Sequence, residues 1–120
     1  MSETLTITLP WPDPALSPNS RDRWGKIKAV SIARNYAYLL ACEQPEYIGA
    51  GVPLMVVMQF NPPDNKHRDL DNMIAMMKSA VDGICLAKGC NDHQIQEIRA
   101  VRLAVVQGGR VTIGVREVTD

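Results

Sequence analysis

The sequence predicts an α+β domain of two layers, in which two helices pack on a mixed sheet of about four strands. Three observations lead to this fold class. Apolar or alternating segments typical of strands lie at both ends and in the middle of the chain, two other segments have apolar residues at helical spacing, and Pro, Gly, Asn and Asp separate them. At 120 residues, with no repeat and no low-complexity linker, residues 1–120 are expected to form a single domain.

The first half of the chain contains a predicted strand, a loop, a helix and a second strand. Residues 4–9 alternate with period two and form the strand, which the prolines after it end. Residues 16–25 are predicted to be a loop that exposes basic residues and Trp24. Residues 28–43 are predicted to be helical, and 52–60 form a continuous apolar strand; the buried stripe of the helix is expected to be Ile32, Tyr36, Leu39 and Leu40.

The second half begins with a helix and ends in two strands. After a turn at residues 62–65, the helix is predicted over 71–82, and Gly83 is expected to terminate it. Residues 95–106 and 111–118 are predicted strands, joined by a hairpin turn at 107–110 so that they pair antiparallel.

Charge and cysteine content limit the class of protein. Thirteen basic and thirteen acidic residues give a formal net charge of zero, which argues mildly against a protein that coats long DNA. Five cations lie between residues 19 and 36 against one acid, Asp22. No apolar run approaches the roughly 20 residues of a membrane span and no signal peptide is evident, so a cytoplasmic protein is expected. Buried thiols are favoured for Cys42, Cys85 and Cys90. The alternative, a zinc site of Cys85, Cys90 and His93, lacks a fourth ligand.

The most informative stretch is the segment of residues 66–72, which has the sequence KHRDLDN. In an extended backbone Asp69 and Asp71 project to the same side, about 7 Å apart at their Cα atoms. Mg²⁺ prefers oxygen ligands, commonly one or two carboxylates with waters and phosphate oxygens, and Lys66 and Arg68 suit the phosphate. The alternative is that one aspartate merely caps the following helix.

A convincing Mg²⁺ site needs a third carboxylate. Asp92, at a turn before a predicted strand, is the best candidate. Asp64 lies in a proline-rich turn where Asp is common, and Asp82 can pair with Lys78 four residues earlier. Both are weaker candidates.

Several segments together resemble one known family. They are ITLPWP near the start, the basic SPNSR loop, RDLDN, KSAVDG, NDHQI and the closing GGRVTI. On these segments the chain resembles the RusA-type Holliday junction resolvases, which are endodeoxyribonucleases often encoded by phages and prophages.

The resemblance implies a role for each matching residue. The family's three metal-binding aspartates fall on Asp69, Asp71 and Asp92, and its essential lysine falls on Lys78. A homodimer that uses Mg²⁺, with Mn²⁺ as a substitute, to cut branched DNA symmetrically is implied, with no small-molecule cofactor and no membrane. One departure is that the family lysine follows the second aspartate by four residues, where this chain has Ala75.

The expected function is therefore Mg²⁺-dependent hydrolysis of DNA at a four-way junction. The basic residues expected to hold the DNA backbone are Arg21, Arg23, Lys66, His67 and Arg68. His67 as a general base is disfavoured. Two other classes remain open: a non-catalytic DNA-binding dimer whose acids are structural, and a nucleotide-sugar transferase that uses an Asp-x-Asp pair, for which 120 residues are few.

Overall fold

The computed structural model describes residues 5–118, so the predicted first strand residue Thr4 lies outside the described part. Within residues 5–118 there are four strands and three α-helices, with two short 3₁₀-helices at Pro14–Leu16 and Asp92–Gln94. In chain order they are β1 (Leu5–Pro10), α1 (Arg23–Cys42), β2 (Leu54–Asn61), α2 (Leu70–Met76), α3 (Lys78–Lys88), β3 (Ile95–Arg102) and β4 (Arg110–Glu117).

The strands form one mixed sheet in the order β1-β4-β2-β3. β4 pairs antiparallel with β1 and β2, whereas β3 pairs with β2 in parallel. A parallel pair needs a long crossover connection, and α2 and α3 supply it between β2 and β3. The predicted α+β architecture with a mixed four-stranded sheet is confirmed.

The predicted antiparallel pairing of the last two strands is wrong, because β2 lies between β3 and β4. β3 ends at Arg102, and the following segment crosses the end of β2. There the amide of Leu103 donates to the carbonyl of Phe60 at 2.8 Å, and Asn61 Nδ2 donates to the carbonyl of Ala104 at 2.8 Å. These bonds carry the chain to the other side of β2 before the turn at residues 107–109.

The core lies between one face of the sheet and the helices. Phe60, Leu5, Leu54, Ile113, Val56 and Val111 of the sheet are fully buried together with Met73 of α2 and Ile84 of α3. The other face of the sheet is more polar, with Thr6, Gln59 and Thr112 around a shallow depression.

The predicted boundaries of α1 are wrong, and so is most of its predicted buried stripe, in which Leu40 alone packs against the core. The helix begins five residues earlier than expected, because the Asp22 carboxylate accepts a hydrogen bond from the amide of Gly25 at 2.9 Å and caps it. Ile32 and Leu39 are 57% and 62% exposed. The buried side chains are instead three small ones, Ala29, Ala37 and Ala41, which allow close packing against α3.

The second predicted helix is divided in two at Met77. Its backbone (φ −92°, ψ 0°) departs from helical values, and its amide donates to Ile74 three residues back rather than four. Gly83 does not terminate the helix: α3 continues to Lys88 and ends at Gly89, whose φ of 69° favours glycine. Gly83 lies at the crossing with α1, where a Cβ would approach the carbonyl oxygen of Arg34 to 2.2 Å.

The three cysteines are free thiols. Burial raises the pKa of Cys85 to about 12, and Cys90 is partly buried beside it, as predicted. Cys42 is exposed, contrary to the prediction, because it lies on the outer face of α1. Among the described residues, no helix has both the length and the apolar character needed to cross a membrane.

Candidate active site

Asp69 and Asp71 lie at the start of α2. Asp69 occupies the N-cap position with an extended backbone (φ −80°, ψ 134°), yet its carboxylate accepts no hydrogen bond from the first turn. Its Oδ1 instead lies 3.1 Å from Nε2 of the exposed His67. Asp71 is exposed in the first turn. Helix capping therefore does not account for Asp69, and both carboxylates are accessible to a ligand.

Lys78 forms ion pairs with two acidic residues. Its Nζ donates to Asp82 Oδ1 at 2.8 Å and to Asp92 Oδ2 at 2.7 Å. These hydrogen bonds, which the carboxylates of Asp82 and Asp92 accept, raise the pKa of Lys78 well above its usual range. In turn, the hydrogen bond from Lys78 lowers the pKa of Asp92. The expected pairing of Asp82 with Lys78 is confirmed, and Lys78 is a stable cation bound to the predicted third carboxylate.

Local hydrogen bonds hold Asp92 in this position. It begins a 3₁₀-helix in which Asn91 and Gln94 cap each other, the amide of Asn91 donating to Gln94 Oε1 at 2.7 Å. Gln94 is buried, and its Nε2 donates to the carbonyls of Gly49 at 3.1 Å and Val52 at 2.9 Å. Gln94 thus ties Asp92 to the loop before β2. Sequence reasoning did not identify this role, although Gln94 lies within NDHQI.

Lys78 and Asp92 border an apolar cleft of about 320 Å³ between the crossover helices and β3. Ala75 of α2 also lines this cleft. Asp71 lies four residues before Ala75, and so one turn away on the same side of the helix. The other lining residues are Val56, Met58, Ile74, Val81, Ile95 and Ile98.

Arg68, which was predicted to hold DNA, is engaged within its own loop. Its Nη1 lies 2.8 Å from Asp64 Oδ1 and 3.3 Å from the carbonyl of Asp64. Its guanidinium lies over the ring of Trp11, 5.3 Å from the centroid, and Trp11 meets Phe60 of the core edge-on. Its carbonyl accepts a hydrogen bond from Arg102 of β3. Arg68 therefore fixes the loop that presents Asp69.

The other predicted DNA contacts lie in two places. Lys66 and His67 are exposed on the loop before α2. Arg21 lies just before α1, and Arg23 is the first residue of that helix rather than part of a loop. Contact of these residues with DNA stays a prediction.

The described residues only partly assemble the predicted metal site. Among residues 5–118 of a single chain, no three His, Cys, Asp or Glu side chains are gathered closely enough to hold a metal ion. Lys78 and Asp92 are together, whereas Asp69 faces a second depression with Trp11, Asn72 and Met76. The chemistry of Asp69 and Asp71 fits Mg²⁺, which often takes one or two carboxylates and completes its shell with water and phosphate. The shared site with Asp92 stays a prediction.

The sequence is similar to known proteins over at least 95% of its length. No protein-family model matches. An uncharacterized protein of Xylella fastidiosa is 35% identical over 125 residues, which span 100% of this chain and 81% of the relative. Crossover junction endodeoxyribonuclease RusA of Shigella sonnei is 30% identical over 120 residues, and that of Enterobacteria phage 82 is 29% identical over 119 residues; each alignment spans 95% of both chains.

Proposed function

Because the chain belongs to the RusA family of crossover junction endodeoxyribonucleases, we propose that it is a Mg²⁺-dependent endonuclease that resolves four-way DNA junctions. The paired cuts would release two duplexes during DNA recombination and repair. The RusA relatives are named crossover junction endodeoxyribonucleases, and they align with nearly the full length of this chain.

One structural observation carries the proposal. The carboxylates of Asp69 and Asp71 are exposed, and Asp69 does not cap the helix that it precedes. Asp71 lies one helical turn from Ala75 in a cleft that Lys78 and Asp92 border, and Asp69 lies two residues before Asp71. Accessible carboxylates beside a lysine and a third aspartate match the needs of phosphodiester hydrolysis.

The chain's own residues would divide the chemistry as follows. Asp69, Asp71 and Asp92 would hold the cation, whose charge lowers the pKa of a water and offsets charge on the phosphate. Lys78 keeps its proton at Nζ, because Asp82 and Asp92 raise its pKa. It is therefore no general base near neutral pH, and it would donate hydrogen bonds to the phosphate oxygen that gains negative charge.

Association of two chains is part of the proposal. A twofold dimer matches the pseudo-twofold symmetry of a four-way junction and would place two sites for paired cuts. Within residues 5–118 of one chain the three aspartates are not gathered as a metal site, so we propose that they converge in the dimer. Sedimentation velocity at assay concentration would show a monomer if this part of the proposal is wrong.

Cleavage of a synthetic four-way junction tests the function. We expect nicked duplex products with Mg²⁺ or Mn²⁺ and none with a chelator, and little cleavage of linear duplex of the same sequence. Asp71→Asn should abolish cleavage while it leaves junction binding in gel shifts largely intact. A fully active Asp71→Asn protein would remove Asp71 from the site.

The same assay separates the proposal from a non-catalytic DNA-binding dimer. Such a protein would bind the junction equally with and without chelator and would give no nicked product with either metal.

A further inference from the structure

The first twelve residues of α1 include a row of basic side chains on one side of the helix. Arg23, Lys26 and Arg34 fall within an arc of about 80° around the helix axis, at 3.6 residues per turn. They border an open groove of about 410 Å³ along the helix. The remaining residues of the groove are Ile27, Val30 and Ser31.

The charge of this row is not balanced locally. The sequence of α1 contains no acidic residue. Asp22, just before the helix, is engaged as its N-cap through the amide of Gly25. Arg23 and Arg34 are exposed and form no ion pair with any other residue in the part of the chain that the structure describes. Lys26 Nζ reaches only the carbonyl of Ser17, at 3.4 Å.

The row also leads toward the candidate active site. α1 and α3 lie side by side in the same direction, because Gly83 faces the backbone of Arg34 and the Nζ of Lys88 donates to the carbonyl of Gln44 just after α1. The start of α3, where Lys78 lies, is therefore near the middle of α1. Lys78 lies five residues before Gly83, so it is level with a point between Lys26 and Arg34. The row extends along α1 on both sides of that point, over about 16 Å from Arg34 to Arg23.

We propose that this row binds the phosphate backbone of one DNA arm that leaves the cleavage site, an inference that rests on the proposed nuclease function. Cations spaced along one side of a helix, with Arg23 and Arg34 exposed, complement a polyanion, and about 16 Å corresponds to roughly five base-pair steps of duplex. Lys28 takes no part in this contact, because it lies about 120° around the helix from Arg34.

Salt dependence of junction binding tests this surface. Affinity for a synthetic four-way junction would be measured by fluorescence anisotropy in chelator, between about 50 and 200 mM salt. Arg34→Gln removes one phosphate contact, so the slope of log affinity against log salt should become shallower by about 0.9. Arg34→Lys should keep the slope. Lys28→Gln is the matched control, since it removes one charge from the same helix, and it should leave the slope unchanged.

The outcomes distinguish this inference from the proposed function. Equal slope changes in Arg34→Gln and Lys28→Gln would show a general effect of net charge and would overturn the docking surface, as would no change in Arg34→Gln. If the wild-type protein fails to cut the junction with Mg²⁺ while Arg34 alone alters the slope, the nuclease proposal fails and the surface stands. Thermal melting of each variant checks that it is folded.

Discussion

Residue types and their spacing predicted some of the side-chain contacts of the candidate site but not others. The pairing of Lys78 with Asp82 follows from their spacing of four on a helix and is present at 2.8 Å. Lys78 also contacts Asp92, which lies fourteen residues later in the chain. Helical spacing does not predict this contact. The positioning role of Gln94 also depends on the carbonyls of Gly49 and Val52, which only the fold brings near it. The contact of Arg68 with the ring of Trp11 depends on the fold in the same way.

At this scale the ion pair of Arg68 with Asp64 predicts a pH-dependent stability. The hydrogen bond from Arg68 lowers the pKa of Asp64. A carboxyl with a lowered pKa in the folded state contributes stability above its unfolded pKa, about 3.9, and loses it as the pH falls through the folded value. Asp64→Asn should therefore melt below the wild-type protein near neutral pH.

The gap in melting temperature should close in acid, once the wild-type Asp64 is protonated as well. A series of thermal melts from neutral pH to below about pH 3 measures it. A gap that keeps the same size throughout this range would show that the charge of Asp64 does not stabilise the loop.

At the scale of elements, the prediction located the four strands and two helical segments, but it was wrong about the start and buried face of α1 and about the break and end of the second helical segment. The early start of α1 depends on Asp22 as its N-cap. Asp22 lies in a segment rich in turn residues, which favours a loop and so did not indicate the start of a helix. The large apolar side chains of α1 were expected to be buried against the core. They are mostly exposed, because α3 packs too closely on α1 to leave room for them. No Gly or Pro lies between Asn72 and Asp82 to signal the break at Met77. That break makes Lys78 the first residue of α3, beside Asp92.

The crossing of α1 and α3 gives a prediction for Gly83. Alanine is the better helix former by about 1 kcal/mol, but its Cβ at this position would lie 2.2 Å from a backbone oxygen of α1. Gly83→Ala should therefore lower the free energy of unfolding by about 1–3 kcal/mol through overpacking.

Urea denaturation measures this change, and Leu86→Ala is the control. Leu86 is exposed on the same helix, so its truncation should alter the free energy of unfolding by no more than about 0.5 kcal/mol. A Gly83→Ala protein at least as stable as the wild type would mean that the two helices are not in close contact.

At the scale of the whole molecule, the fold class was predictable and the strand order was not. Alternation and helical spacing identify elements and faces. They do not show that the segment after β3 crosses the end of β2, because that path depends on hydrogen bonds to Phe60 and Asn61. The same limit applies to the site: the sequence proposes three aspartates, and within residues 5–118 of one chain they are not gathered as a metal site.

The central claim is that Asp69, Asp71 and Asp92 share a divalent cation, and Mn²⁺ binding followed by electron paramagnetic resonance tests it most directly. The wild-type protein should bind Mn²⁺ saturably, and each of Asp69→Asn, Asp71→Asn and Asp92→Asn should weaken binding by about tenfold or more. Glu97→Gln is the control, because Glu97 is an exposed acid on β3 that pairs with Arg99, and it should bind as the wild type does. Unchanged affinity in Asp92→Asn, or no saturable binding by the wild-type protein, would contradict the shared site.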